Sequence, residues 1–381
     1  VSPIPLATSM MSRTPLKVTE YGPTTAIAKL PPVPPATETT HPPQPNTPPP
    51  GLVLVAGFPS SGTDLMRLVL NAHPQVHIAG EFPLLHQLSQ QYNSNVPADQ
   101  AQPVIQRLRE LDIYGNLASE VSGNPWADQN EPIALAEIYS RLLTREPVRW
   151  VGNKTPQNTE HLDELLKLFP EMRVVLVVRD PRDVALSWRN KWGKDVLLAA
   201  HKWCARMTRG MASLDRPPLR DRSVVVRFED LLAQPEAQCR RICELLGIAF
   251  HERMLRHETT VDRPVDGKLN FGKALRPGNA GKWREQLPAS TAKRIEEVAW
   301  PMMQRFGYGP EHAEQAKPIT RFERLRGRAR DAWAMLAVGN RASNRPLATR
   351  LRMLLVEVAK RRRNNTNRMT APPGSSVPRV G

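Results

Sequence analysis

Leu52-Val53-Leu54-Val55-Ala56-Gly57-Phe58-Pro59-Ser60-Ser61-Gly62-Thr63-Asp64 is the stretch whose reading decides the fold. Its first five residues form an uninterrupted apolar run, the pattern of a strand buried on both faces of a parallel sheet. The run stops at Gly57. A second glycine, Gly62, follows five positions on, and then a helical pattern carried by Leu65, Met66, Leu68, Val69 and Leu70. A glycine-bearing loop between a strand and a helix lets backbone N–H groups curl around a phosphate at the helix N-terminus. The nucleoside-triphosphate form of such a loop reads G-x-x-x-x-G-K-[ST], and Thr63 stands here at the lysine position. Losing that lysine, and the metal ligand beside it, argues against an enzyme driven by a nucleoside triphosphate.

Working outward, a second apolar run, Val174 to Val178, lies between helix-like segments at 158–168 and 182–191. A third, Val224-Val225-Val226, leads into a helix with Leu231, Leu232, Ile242, Leu245 and Leu246. Strands that alternate with helices predict an α/β fold, a parallel sheet with helices on both faces. Ligands of such sheets bind outside the carboxyl ends of the strands, so Gly57, Arg179 and Arg227 should cluster. Residues 89–148 read as helical and irregular, and are expected to cap the site.

Taken in order, the motifs resemble the sulfotransferases, most of all the bacterial and tyrosylprotein-type group. That family's loop reads Pro-Arg/Lys-Ser-Gly-Thr-Thr, against Pro59-Ser60-Ser61-Gly62-Thr63-Asp64 here. The likeness continues through Leu65-Met66-Arg67, Ala72-His73-Pro74 and Gly80-Glu81, then Asn153-Lys154-Thr155-Pro156. It closes with Val178-Arg179-Asp180-Pro181-Arg182, Ser187, Val226-Arg227-Phe228-Glu229 and Gly281-Lys282-Trp283. The resemblance implies a P-loop-like parallel sheet flanked by helices, with a sulfotransferase domain over 51–316. It also implies in-line transfer of a sulfuryl group from 3′-phosphoadenosine 5′-phosphosulfate to an acceptor hydroxyl. That acceptor stays open among saccharide, lipid, metabolite and peptide.

Roles follow from the same resemblance. Residues Pro59, Ser60, Ser61, Gly62, Thr63 and Asp64 hold the donor's 5′-phosphosulfate, and Arg179 with Ser187 grips its 3′-phosphate. An arginine fork suits a terminal phosphate because it donates two hydrogen bonds at once. Lys191 is a further basic contact. Lys282 belongs to a late loop that closes on the nucleotide, with Trp283 beside it in that loop or in the core. Lys154 is the cation by the leaving phosphate and Glu81 the base by the acceptor; His73, His77 and His86 are alternatives for the base. A sulfuryl group carries less negative charge than a phosphoryl group, so no metal is chemically required. Two positions depart from the family pattern. Ser60 replaces a basic residue, and Asp64 puts a carboxylate where a phosphosulfate would bind, with Arg67 one turn on to compensate. These departures keep open a catalytically weak nucleotide-binding relative, and the loop architecture keeps open a P-loop nucleotide kinase.

The rest of the 381 residues divides by composition. Residues 1–50 hold 14 of the 38 prolines and are expected to be a disordered, partly polyproline-like tail. Of the net charge of +16, +13 lies from Lys317 onward, with 16 Lys and Arg against 3 Asp and Glu. The basic character therefore belongs to a partly helical tail over 317–381 and not to the central domain, which weakens any inference to nucleic acid. Residues 319–338 and 346–363 have the pattern of basic amphipathic helices, suited to an anionic membrane surface or an acidic partner. The cysteines, Cys204, Cys239 and Cys243, are odd in number and lack a CxxC pair. With no secretory-signal pattern at the front, they suit a reduced, cytoplasmic compartment, peripheral to the membrane if the tail binds it.

Overall fold

A computed structural model of the chain describes residues 50–117, 126, 130–143, 148–256 and 279–337. Strand β1 (Gly51–Gly57) leads through the glycine loop into helix α1 (Thr63–Asn71) and strand β2 (Val76–Ala79). A small antiparallel pair, β3 (Asn95–Val96) and β4 (Ile133–Ala134), is interleaved with α2 (Ala101–Leu111) and α3 (Leu135–Leu143). There follow β5 (Trp150–Lys154), α4 (Leu162–Leu168), β6 (Arg173–Val178), α5 (Pro181–Trp192) and α6 (Val196–Leu214). The last elements are β7 (Ser223–Arg227), α7 (Phe228–Ala233), α8 (Pro235–Leu246), α9 (Trp283–Gln286), α10 (Ala289–Arg305) and α11 (Arg321–Ala337).

The main sheet has five strands in the order β2-β5-β1-β6-β7, all parallel. From the central β1 the chain builds one side and then the other, so strand order reverses at β1. In an open α/β sheet that reversal opens a crevice at the carboxyl ends of the strands, here beside Gly57. Alternation along β1 splits the interior in two. Leu52, Leu54 and Ala56 face a core shared with α2 to α6 and α10, whereas Val53 and Val55 face α1 and α8. Both faces are covered, as the continuous apolar run predicts.

Two strands escape a reading by apolar runs. β2 is only four residues long, and β5 ends in the polar pair Asn153–Lys154. The single helix expected after β7 is two, because Pro235 has no N–H to carry α7 onward and instead starts α8. Cys239 and Cys243 do share the buried face of α8, and burial pushes the Cys239 thiol up to about 12. The proline-rich 1–49 and the predicted helix at 346–363 lie outside the described residues.

Candidate active site

The loop after β1 is held from three sides. Thr159 Oγ1 accepts from Gly57 N at 2.8 Å, and Trp188 Nε1 donates to the Pro59 carbonyl at 3.1 Å. At Gly62, φ is 92° and a Cβ would fall 2.3 Å from the Phe228 ring, so only glycine fits. Ser60 has φ 74°, a left-handed conformation for a residue with a side chain. Such a conformation costs on the order of 1–2 kcal/mol and tends to persist at ligand clamps. The hydroxyls of Ser60 and Ser61 are buried without a partner among the described residues. Gly62 is the N-cap of α1 and offers no side-chain cap, which leaves the first N–H groups of the helix free to donate. Unpartnered hydroxyls and N–H groups converging on one turn fit a polyoxyanion.

At the neighbouring strand end, β5 delivers Lys154, whose side chain is only 5% exposed. Its Nζ lies 2.6 Å from Glu81 Oε1 and 2.7 Å from Asp64 Oδ1. The carboxylate that departs from the family loop thus shares the buried ammonium with the predicted base. Arg67 stands close by on α1. Burial depresses its guanidinium pKa, while Asp64 and Glu81 act the other way.

Lys154 and Glu81 are set in register by a buried polar chain. Asn153 Nδ2 donates to the Tyr139 hydroxyl at 2.9 Å, and its Oδ1 accepts from Thr155 Oγ1 at 2.7 Å. Thr155 Oγ1 accepts in turn from Phe82 N at 2.7 Å, next to Glu81. Asn116 fixes the other side by donating to the Glu81 carbonyl at 2.6 Å. That contact comes from the segment expected to cap the site.

Across the crevice, Arg179 donates to the Ser60 carbonyl at 3.3 Å and to the Asn279 carbonyl at 2.6 Å, with its Nε buried and unpartnered. Its guanidinium lies 4.5 Å over the Phe228 ring, a cation–π contact. Phe228 therefore supports both the loop and the arginine. Asp183 takes Gly281 N at 2.7 Å and Trp283 N at 3.0 Å, tying the late loop to α5. Burial raises the Asp183 pKa, against the Arg179 charge and those two N–H groups. Trp283 resolves as core: it is buried, with Arg182 3.9 Å over its ring.

The geometry thus gathers Pro59 to Asp64, Glu81, Lys154 and Arg179 around one crevice. Lys191 belongs nearby: its pKa is lowered by the surrounding protein and by Arg179, with Asp64 opposing. Ser187, half-buried in α5, and Lys282, exposed at the head of α9, make no polar contact with the loop among the described residues. His73 is structural. It bonds Ala249 O at 2.8 Å and Gln75 N at 3.1 Å beyond the far end of α1. His86 stacks on His161 with centroids 3.6 Å apart. Sequence reasoning missed the supporting residues Asp183, Trp188, Tyr139, Thr159 and Asn116, whose partners are distant in sequence.

A family model described as "Sulfotransferase family" matches residues 50–252, more than half of the chain. The chain belongs to the sulfotransferase family. Among curated relatives, this sulfotransferase-family chain is 25% identical over 277 residues to a protein-tyrosine sulfotransferase of Drosophila melanogaster, covering 68% of this chain and 52% of that one. It is 26% identical over 280 residues to protein-tyrosine sulfotransferase 2 of Gallus gallus, covering 68% and 70%. The chain thus spans about half the length of the Drosophila protein. Among solved structures, the sulfotransferase domain of a Synechococcus olefin synthase is 27% identical, with TM-score 0.49, covering 70% of this chain and 98% of that one.

Proposed function

We propose that the chain transfers a sulfuryl group from 3′-phosphoadenosine 5′-phosphosulfate to an acceptor hydroxyl, and that the acceptor is a tyrosine in a peptide. The observation that carries this is the 2.6 Å contact between Lys154 and Glu81 at the mouth of the phosphate loop. It sets a buried cation and a carboxylate one hydrogen bond apart, which supports the first acting on the leaving oxygen and the second on the acceptor hydroxyl. The names of the relatives support the peptide tyrosine.

The donor supplies an activated sulfuryl group on a phosphate leaving group. The free N–H groups of α1 and the Ser60 and Ser61 hydroxyls hold its 5′ end, and Arg179, with Ser187 and Lys191, takes the 3′-phosphate. Lys154 donates to the oxygen bridging phosphorus and sulfur, stabilising the charge that grows there as the bond breaks. Glu81 takes the proton of the acceptor hydroxyl as its oxygen bonds to sulfur on the opposite side. Arg67 offsets the charge of Asp64, which otherwise faces the incoming anion.

The test is transfer of labelled sulfate from the donor to tyrosine peptides, with phenylalanine peptides as controls. Label confined to tyrosine peptides, and lost in Glu81→Gln, is the expected result. Saturable donor binding without transfer to any hydroxyl would instead mark a nucleotide-binding relative disabled by Ser60 and Asp64.

A further inference from the structure

Helix α11 docks on α6 with one face and turns a different chemistry to solvent on the other. On the inner face, a Cβ on Gly327 would lie 3.1 Å from Leu198 Cβ, Asp331 accepts from Asp195 N at 2.9 Å and from Lys202 at 3.0 Å, and Ala334 is buried. Glu323 is clamped by Arg294, with both hydrogen bonds at 2.8 Å. Both carboxylates of the helix are thus consumed by its docking.

The outer face is apolar at its centre and cationic at its edges. At 3.6 residues per turn, Phe322, Leu325, Ala329 and Trp333 fall within a stripe about 80° wide. Phe322 is 72% exposed, Leu325 67% and Trp333 72%. Arg326 and Arg330 flank the stripe on one side, Arg321 and Arg328 on the other. All four are exposed, and none pairs with a carboxylate among the described residues.

We propose that this face of α11 is an anchor that seats on an anionic lipid bilayer. The occupant must be anionic. A second copy of the helix, or this chain's own 346–363 with Arg350, Arg352 and Lys360 to Arg363, would set arginine against like charge. The stripe lies on the outer face of a helix, with large side chains standing exposed on it. That arrangement suits a yielding interface into which Trp and Phe sink at headgroup depth while arginines stay among the phosphates. The sequence that follows α11 is basic as well, with 10 Lys and Arg against 1 acidic residue over 338–381.

The 381-residue chain is sedimented with phosphatidylcholine vesicles with and without phosphatidylserine. Partitioning onto the anionic vesicles, weakened by salt and absent from the neutral ones, is expected. The double variant Phe322→Ser/Trp333→Ser should lose at least ~10-fold in partition coefficient. Neutralising Arg321, Arg326, Arg328 and Arg330 to Gln should lose on the order of 1,000-fold. Thermal unfolding of these surface variants is compared with wild type to confirm that they fold. Independently, brominated lipid should quench the tryptophan fluorescence of wild type, and quench Trp333→Phe less. The proposal is overturned if the double variant binds like wild type, if no anionic vesicle binds, or if the variants change only self-association or binding to an acidic protein.

Discussion

Replacing Asp64 by asparagine isolates the most unusual feature of the site, a carboxylate inside the phosphate loop. Its Oδ1 lies 2.7 Å from Lys154 Nζ. A phosphate oxygen accepting from that Nζ at about 2.8 Å can therefore be no farther than about 5.5 Å from Asp64. At about 5 Å, two like unit charges repel by about 3 kcal/mol at an effective dielectric near 20, and by about 1 kcal/mol in water. The Asp64 side chain is 35% exposed, so the watery end of that range applies. Asparagine keeps the shape and removes the charge, and Lys154 keeps Glu81 at 2.6 Å, so the ammonium stays in place. Adenosine 3′,5′-bisphosphate should bind Asp64→Asn tighter by about 1 kcal/mol, roughly fivefold. Isothermal titration at low and high salt measures this, and the gain should shrink as salt rises. Unchanged or weaker binding would refute the reasoning, because the carboxylate would then not face the bound anion.

Glu81→Gln should slow sulfuryl transfer by ~10²–10⁴-fold while leaving the affinity for the bisphosphate intact, read from single-turnover rates beside titration. Asp183→Ala strands two backbone donors of the late loop, and should cost about 2–4 kcal/mol in denaturant unfolding and weaken nucleotide binding. Burial holds the His161 pKa below its ordinary value, against the nearby Glu164 and Glu160 and together with Arg206 and Arg209. The unfolded chain therefore binds this proton more readily, and the stability His161 contributes is present above about pH 6.5 and lost as pH falls below it. His161→Phe keeps a ring to stack on His86, so its stability should fall less than wild type's between about pH 7.5 and 5.5 in urea unfolding.

How much was legible follows from where each residue finds its partner. Leu52 to Ala56 announce a strand because a buried parallel strand is apolar on both faces, and the loop after it carries its signal in adjacent residues. β5 carries no such signal. Asn153 and Lys154 are buried only because Tyr139, Glu81 and Asp64 arrive from elsewhere in the fold to satisfy them. The Asp183 carboxylate is equally silent in sequence, since the N–H groups it holds lie 98 and 100 residues away. The basic helix over 319–338 was visible from its arginines. Which face it buries was not, because its inner contacts are made by a glycine and two carboxylates while its large apolar side chains point outward.

The most direct test is calorimetric titration of the full chain with adenosine 3′,5′-bisphosphate, with ATP and AMP as controls, on wild type and on Arg179→Ala. Micromolar binding of the bisphosphate, much weaker binding of ATP, and loss of that preference in a folded Arg179→Ala variant are the predicted results. Binding of ATP as tight as the bisphosphate, or an affinity indifferent to Arg179, would contradict a donor site built from this loop and this arginine.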